Sequence, residues 1–174
     1  MSKQSQLREY QTSILARLEN AKKAGAEPPA GYLGVVIGGK NVLVNLQEIS
    51  ETMPIMDIHP VPLVKPWFLG VANVRGVLYA INDLAQLVEN TTTQISSSAR
   101  LLLISDSVTN NVAFLVDKLV GLRKLEEMQL GETMTEDNIC LKAQTYQDGE
   151  NHIWYLLDCD KLVQSKDFAT PYAT

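Results

Sequence analysis

A β-hairpin is most clearly predicted in the stretch Trp67-Phe68-Leu69-Gly70-Val71-Ala72-Asn73-Val74-Arg75-Gly76-Val77-Leu78-Tyr79-Ala80-Ile81-Asn82-Asp83-Leu84. Two apolar runs flank Arg75-Gly76, where glycine permits a turn conformation that other residues resist. Asn73 can hydrogen-bond the nearby backbone and hold that turn in shape. Arg75 presents a planar fork that suits a carboxylate or carbonyl group on a partner, although its aliphatic stem could equally cover an apolar surface. The stretch therefore predicts two strands with a candidate binding residue between them.

Similar turn-bounded runs lie on both sides of this hairpin. Glycine, asparagine and aspartate separate short apolar segments, which is the pattern of an all-β protein built from small barrels. The further predicted strands are Tyr32–Ile37, Val42–Leu46, Arg100–Ile104, Val112–Val116, Gln144–Gln147 and His152–Leu157. The predicted short helices are Leu46–Glu51, Leu84–Glu89 and Cys159–Gln164. The sequence thus predicts a mainly β fold with little helix.

A weak internal repeat indicates a duplicated unit. Ala80–Val88 resembles Tyr155–Val163, because each ends an apolar run at an aspartate and continues into a short helical pattern. A Leu-Val-Asn or Leu-Val-Asp phrase precedes each of these aspartates by about forty residues, a plausible length for a repeated unit. We predict two related barrels, and chance similarity between short apolar runs is the alternative.

The N-terminal segment has a different pattern from the rest of the chain. Apolar residues fall three or four positions apart between Gln4 and Ala24, which predicts an amphipathic helix. Pro28-Pro29 then predicts a stiff linker. We expect residues 1–30 to form a helical extension with its linker and residues 31–174 to form the main domain. The helix could pack on its own domain or dock onto a partner, and packing on its own domain is favoured.

The composition is that of an ordinary globular protein, with 45% hydrophobic and 20% charged residues among 174. A net charge of −5 argues against nucleic-acid binding, which depends on lysine and arginine. No apolar run reaches the roughly 18–20 residues of a membrane-spanning helix, and the polar start lacks the apolar stretch of a signal peptide. We therefore expect a cytoplasmic protein whose cysteines, Cys140 and Cys159, are free thiols.

Catalytic and metal-binding patterns are missing from the sequence. It contains neither a phosphate-binding P-loop nor a Gly-x-Ser-x-Gly elbow. His59 and His152 belong to no metal-ligand spacing, so no metal and no cofactor are expected. Asp83, Asp117 and Asp158 could supply carboxylates for acid–base chemistry, but each ends an apolar run, and a structural role is favoured. Asp83 and Asp158 precede predicted short helices, where an aspartate caps backbone N–H groups. No enzyme is predicted. The alternative is a small enzyme whose site combines residues distant in sequence.

The predicted hairpin resembles the signature of the CheW family of chemotaxis coupling proteins. That signature is Gly-x-x-Asn-Leu-Arg-Gly, followed by a strand that carries Pro and ends in Asp-Leu. Here it reads Gly70–Gly76 followed by Val77–Leu84, with Val74 in place of the usual Leu and Ala80 in place of the common Pro. The resemblance covers roughly Tyr32 to Val163, most of the chain, and includes the segments Val44–Ile49, Phe114–Gly121 and Trp154–Asp158.

The resemblance implies a fold of two SH3-like five-stranded β-barrels packed side by side, with an N-terminal helix. It also implies a non-catalytic adaptor that couples the cytoplasmic tip of a chemoreceptor to the CheW-like regulatory domain of a histidine kinase. Such a protein would be a monomer alone, recruited to membrane-associated receptor arrays without inserting into the membrane. By position, the receptor-binding residues would be Ile49, Asn73, Val74, Arg75 and Gly76.

Within this family, three features most resemble the PilI-type couplers of type IV pilus systems, which control twitching motility. These features are the N-terminal helix, Pro28-Pro29 and Trp67–Asn73. A coupling protein of a flagellar chemotaxis array is the alternative. The family also leads us to expect a kinase-facing apolar patch on the first barrel, whose residues the sequence does not identify.

Overall fold

The computed structural model describes residues 31–135, 138 and 140–172. The predicted helix between Gln4 and Ala24 and the linker before Gly31 lie outside the described residues, so the domain boundary at Gly31 stays a prediction. Within the described ranges, no helix is long and apolar enough to cross a lipid bilayer.

The described residues form eleven strands and a few short helices, which confirms the prediction of a mainly β fold. The strands are β1 Tyr32–Ile37, β2 Lys40–Asn45, β3 Ile49–Pro54, β4 Phe68–Val74, β5 Val77–Asp83, β6 Arg100–Ile104, β7 Val112–Val116, β8 Lys118–Arg123, β9 Gln129–Thr133, β10 Leu141–Gln147 and β11 Ile153–Leu157. The helices are α1 Leu84–Glu89, α2 Cys159–Gln164 and α3 Lys166–Ala169, with 3₁₀ turns at Leu46–Glu48 and Leu125–Glu127.

The strands build two sheets that do not follow the order of the chain. The first sheet has the spatial order β8-β1-β2-β11-β10-β9, and the second has the order β3-β6-β7-β5-β4. The first sheet takes its strands from both ends of the described chain, and the parallel pairing of β2 with β11 joins them. The first sheet thus has six strands where five were predicted, and the second has five. Closure of either sheet into an SH3-like barrel stays a prediction.

The internal repeat of the sequence corresponds to two parallel strand pairs. β2 pairs with β11, and β5 pairs with β7. Each pair joins a strand that carries the Leu-Val phrase to a strand that leads into a capping aspartate, Asp158 after β11 or Asp83 at the end of β5. Phrase and aspartate of the same copy lie in different sheets. The two copies of the repeat therefore exchange strands instead of forming one sheet each.

Buried apolar side chains form three clusters, and the largest draws on both sheets. This central core includes Val35 and Val44 of the first sheet and Phe114 of the second. Because each fully buried side chain of this size contributes about 1.5–3 kcal/mol, the central core holds the two sheets together. A second cluster around Ile81 belongs to the second sheet, and a small third cluster surrounds Trp154.

The helix predicted over Leu46–Glu51 is wrong beyond its first turn. A 3₁₀ turn covers Leu46–Glu48, with the Asn45 side chain accepting a hydrogen bond from the Gln47 backbone N–H at 2.9 Å. The chain then enters β3, which pairs antiparallel with β6. The pairing with a strand far along the chain overrides the local helical preference.

Two strands and one helix were not predicted at all, namely β8, β9 and α3. β9 is mostly exposed, so its sequence lacks the alternation by which a half-buried strand is recognised. β8 pairs with β1 through a bulge at Gly34/Val35 and carries Gly121 at φ 129°. In contrast, the predicted bounds of β1, β6, β7, α1 and α2 are confirmed to the residue.

Candidate functional site

The turn between β4 and β5 has the geometry of a two-residue hairpin. Val74 pairs with Val77, and the two residues between them both have positive φ, 52° at Arg75 and 87° at Gly76. Such a turn matches the right-handed twist of the flanking strands. The Asn73 side chain accepts a hydrogen bond from the Gly76 backbone N–H at 2.8 Å, which confirms the role predicted for this asparagine. A Cβ on Gly76 would meet nothing within 4 Å, so its backbone conformation alone favours glycine.

The guanidinium group of Arg75 forms a bidentate ion pair with Glu51 of β3. Arg75 Nη1 donates to Glu51 Oε2 at 2.7 Å, and Nη2 donates to Oε1. The Arg75 side chain is 68% exposed and that of Glu51 is 16% exposed. The sequence predicted that Arg75 would bind a carboxylate or carbonyl group on a partner. In the structure Glu51 of the same chain provides this carboxylate, and the ion pair remains accessible to solvent.

This ion pair also indicates that the second sheet is curved. β3 and β4 are the two edges of that sheet, yet Glu51 of β3 contacts Arg75 just past the end of β4. The sheet therefore curls until its edges approach each other beside the turn.

Apolar side chains lie next to the charged pair. Val77 is 45% exposed and Leu78 is 60% exposed, and Leu78 is the cross-strand partner of Asn73. An exposed apolar area beside a planar charged group is typical of a protein-binding surface. We name it the turn surface and define it by Glu51, Asn73, Arg75, Gly76, Val77 and Leu78.

The five residues expected at the receptor groove divide into two groups. Asn73, Arg75 and Gly76 are exposed at the turn. Ile49 is buried in the central core, and Val74 is buried in the second cluster. Ile49 and Val74 therefore support the strands beneath the turn surface, and their side chains face the protein interior.

Three residues of the turn surface, Glu51, Val77 and Leu78, were not among the predicted site residues. Glu51 was placed at the end of a helix by the sequence, and it reaches Arg75 only because β3 is a strand of a curled sheet. The exposure of Val77 and Leu78 had no local signal, since apolar residues at the start of a strand are ordinarily buried.

The aspartates considered as catalytic carboxylates have structural roles. Asp83 caps α1 through the Ala85 N–H at 3.1 Å and also accepts from the Thr93 N–H at 2.9 Å. Asp158 caps α2 by accepting from the Lys161 N–H at 3.1 Å. The capping roles predicted for Asp83 and Asp158 are confirmed. Asp117, which has no helix after it, accepts from the Gly38 N–H at 3.1 Å and ties β7 to the β1–β2 turn.

The remaining candidate groups for chemistry lie at several places in the fold, and among them Glu48 and Cys159 share a side-chain hydrogen bond. His59 is exposed in the segment before β4, and His152 lies at the β10–β11 turn with Nδ1 3.2 Å from Asp148. Burial raises the pKa of the Cys140 thiol to about 12 and also raises that of Cys159. Across the described part of the chain, no three His, Cys, Asp or Glu side chains are grouped as metal ligands would be.

These observations define a class: a mainly β protein of two sheets around one central core, with an exposed turn as its candidate binding surface. The family model of the CheW-like domain matches residues 31–167. The chain therefore belongs to the CheW-like domain family.

Two known proteins illustrate the relationship. The "Chemotaxis protein CheW" of Thermotoga maritima is 26% identical over 120 residues, which cover 69% of this chain and 78% of that protein. The crystal structure of the scaffolding protein TtCheW from Thermoanaerobacter tengcongensis matches with a TM-score of 0.66 at 12% identity, covering 80% of this chain and 95% of that chain. At so low an identity the second likeness shows the fold alone.

Proposed function

We propose that this chain is a non-catalytic adaptor that couples a chemoreceptor to a histidine kinase in a chemotaxis-like pathway. Membership of the CheW-like domain family and the names of its relatives, a chemotaxis protein and a scaffolding protein, support this function. The observation that carries it is the turn surface, where the family motif places an exposed arginine beside exposed apolar side chains. We propose this surface as the receptor-binding site.

The proposed role of each site residue follows from its burial. Arg75 offers charge and a planar fork to the receptor, while Asn73 and Gly76 hold the turn that presents it. Ile49 and Val74 act from the interior, by keeping β3 and β4 in place under the turn. Curling of the second sheet at the Arg75–Glu51 pair favours the SH3-like barrel that the family resemblance implies.

We further propose a pathway and a cellular setting. The resemblance of Trp67–Asn73 and of the N-terminal sequence to PilI-type couplers favours a type IV pilus pathway that controls twitching motility. The protein would act in the cytoplasm as a monomer recruited to membrane-associated receptor arrays. The alternative, a flagellar chemotaxis array, predicts that loss of this chain abolishes swimming responses and leaves twitching intact.

An enzyme with a site assembled from distant residues is the competing class, and the two thiols argue against one that uses a cysteine nucleophile. Cys140 and Cys159 both have a raised pKa, and burial is the main cause in each case. A raised thiol pKa disfavours the thiolate that a cysteine nucleophile requires. Neither thiol lines any of three surface pockets of about 350 to 520 Å³ that are formed by described residues.

Reversal of the Arg75 charge tests the receptor-binding proposal. Arg75→Glu should abolish binding to the receptor cytoplasmic fragment, since losing a charged contact at a desolvated interface costs about 2–5 kcal/mol. Folding should change by no more than about 1 kcal/mol, because an exposed ion pair contributes little. Calorimetric titration with receptor and kinase, together with thermal unfolding, measures both quantities.

The matched control is the exchanged pair Arg75→Glu/Glu51→Arg, which restores the ion pair within the chain and moves the guanidinium group to β3. We expect this variant to melt like the wild type and still fail to bind the receptor. Receptor binding at wild-type strength by either variant would show that the proposed site is wrong. A large fall in melting temperature that the exchange repairs would make Arg75 a structural residue.

A further inference from the structure

The last described residues run from the first sheet to the second. We define the C-terminal strap as residues 165–172, Ser-Lys-Asp-Phe-Ala-Thr-Pro-Tyr. The strap begins where α2 ends, and α2 follows β11 of the first sheet. The Ser165 hydroxyl donates to the Leu162 carbonyl at 2.7 Å and accepts from the Phe168 N–H at 3.2 Å. Ser165 therefore fixes the bend between α2 and α3 at which the strap starts.

Phe168 makes the main apolar contact of the strap. Its ring stacks on the Trp67 ring, with the centroids 5.3 Å apart and the planes 15° apart, and its centroid lies 6.0 Å from that of Phe114. Trp67 directly precedes β4 and Phe114 is in β7, so both rings under Phe168 lie in or beside strands of the second sheet. Trp67 is only 8% exposed and Phe114 is fully buried. Phe168 thus covers two rings at the outer side of the central core.

The end of the strap lies along the chain that leads into β4. The Lys65 N–H donates to the Pro171 carbonyl at 2.7 Å, and Val64 forms an antiparallel bridge with Tyr172. The Lys65 ammonium also lies 3.8 Å from the Asp167 carboxylate, whose side chain is 78% exposed. Because an ion pair so open to solvent contributes little, the ring stack and the backbone contacts hold the strap in place.

The two sides of this contact are held with different strength. Beneath the strap, the Trp67 carbonyl accepts a hydrogen bond from the Asp83 N–H at 2.7 Å, and β7 is paired with β5 and β6. In the strap, α3 has four residues, none of them buried, and so short a helix is not stable by itself in water. A surface pocket of about 350 Å³ also lies between the strap and residues of α1 and α2. The strap can therefore detach while the rings beneath it stay in place.

We propose that the C-terminal strap is a lid that opens as one unit at Ser165 while both sheets remain folded, with the stack of Phe168 on Trp67 as its latch. Opening breaks the stack and the backbone contacts with the chain before β4 in a single event, because one short segment makes all of them. The open form uncovers the Trp67 ring and releases the chain before β4. The lid thus controls access to an aromatic surface beside the central core.

Amide hydrogen exchange of the full chain, followed by NMR, tests this inference at two reporter groups. The Lys65 N–H is bonded across the lid, whereas the Asp83 N–H is bonded to Trp67 beneath it. The protection factor at Lys65 should be at least about tenfold lower than that at Asp83, because local opening requires less free energy than unfolding of a sheet. Phe168→Ala should lower protection at Lys65 by roughly a further tenfold and leave Asp83 unchanged. Asp167→Ala, the exposed control in the same strap, should change neither value by more than about twofold.

Each outcome supports or overturns the lid. Equal protection at the two reporter groups in the wild type would overturn it, because the strap would then open only together with the second sheet. Loss of protection at Asp83 as large as that at Lys65 in Phe168→Ala would make Phe168 a residue of the core and contradict a separate lid. Equal effects of Asp167→Ala and Phe168→Ala would show that the proposed latch is wrong. Low protection at Lys65 alone, lowered further only by Phe168→Ala, supports the proposal.

Discussion

The β4–β5 and β10–β11 hairpins each end in a turn that positions one charged side chain, with opposite results. At the first turn, Arg75 is directed to solvent and pairs with Glu51 across the edges of a curled sheet. At the second, Asp148 accepts a hydrogen bond from the indole N–H of Trp154 at 2.9 Å, and that tryptophan is buried. The charge of Arg75 is therefore held at the surface, whereas the charge of Asp148 accepts a hydrogen bond from a buried side chain.

The two turns differ in how a partner group is affected when the carboxylate that contacts it is removed. Asp148 also accepts from the backbone N–H groups of Glu150 and His152, at 2.9 and 3.0 Å. The hydrogen bond from Trp154 is the main reason that the pKa of Asp148 is lowered to about 2. Without Asp148 a buried indole N–H has no acceptor, whereas without Glu51 the guanidinium of Arg75 can turn to water. We therefore expect the β10–β11 turn to matter for stability and the β4–β5 turn to matter for recognition.

The largest effect on stability is expected for Asp148→Ala. Loss of a charged acceptor from a buried donor should lower the free energy of unfolding by about 1–3 kcal/mol, or about 2–4 °C in melting temperature for each kcal/mol. Urea unfolding followed by tryptophan fluorescence measures this, with the exposed Asp106→Ala as a neutral control. Receptor binding should be unchanged. If Asp148→Ala proves as stable as the control, the contrast between the two turns is lost.

A smaller and pH-dependent effect sharpens the same contrast. The folded-state pKa of Asp148 lies below its ordinary value of 3.8, so its charge stabilises the fold above about pH 4, and this contribution disappears as the pH falls towards 2. The difference in unfolding free energy between the wild type and Asp148→Asn should therefore be greatest above pH 4 and shrink towards pH 2. A difference that does not vary with pH would mean that the charge of Asp148 is not what Trp154 and the turn require.

The smallest effect on folding is expected for Glu51→Gln. This change removes one charge of an exposed ion pair, so the free energy of unfolding should fall by no more than about 1 kcal/mol, and by less at high salt. Receptor affinity should fall moderately, because Arg75 loses the carboxylate that orients its fork. Thermal unfolding and receptor titration at low and high salt provide the measurement. A loss of stability as large as that of Asp148→Ala would place the Arg75–Glu51 pair among the structural contacts.

Elements with strong local patterns could be predicted from the sequence. β1, β6 and β7 are short apolar runs between turn residues, and α1 and α2 each follow a capping aspartate. The Arg75-Gly76 turn was also predictable, because Gly76 permits a turn conformation between two apolar runs, whereas the positive φ of Arg75 was not predicted. Each of these elements depends mainly on interactions within a few residues.

Elements that depend on distant partners could not be predicted in the same way. β3 was expected to be helical, because its pairing with β6 has no local signature. β9 was missed because it is mostly exposed, so its sequence does not alternate between apolar and polar residues. The exchange of strands between the two copies of the repeat is visible only in the parallel pairs β2–β11 and β5–β7. Sheet pairing of this kind is set by contacts between segments far apart in the chain.

The candidate site shows the same division on a smaller scale. By itself the sequence determined that Asn73, Arg75 and Gly76 form an exposed turn, because the side-chain hydrogen bond of Asn73 and the left-handed conformation of Gly76 are local features. Only the tertiary structure decided that Glu51 engages the arginine, since the contact requires the two edges of the second sheet to curl together. Tertiary packing also decided that the Ile49 side chain points into the central core. That core contains residues of both sheets, so it exists only when both sheets have formed.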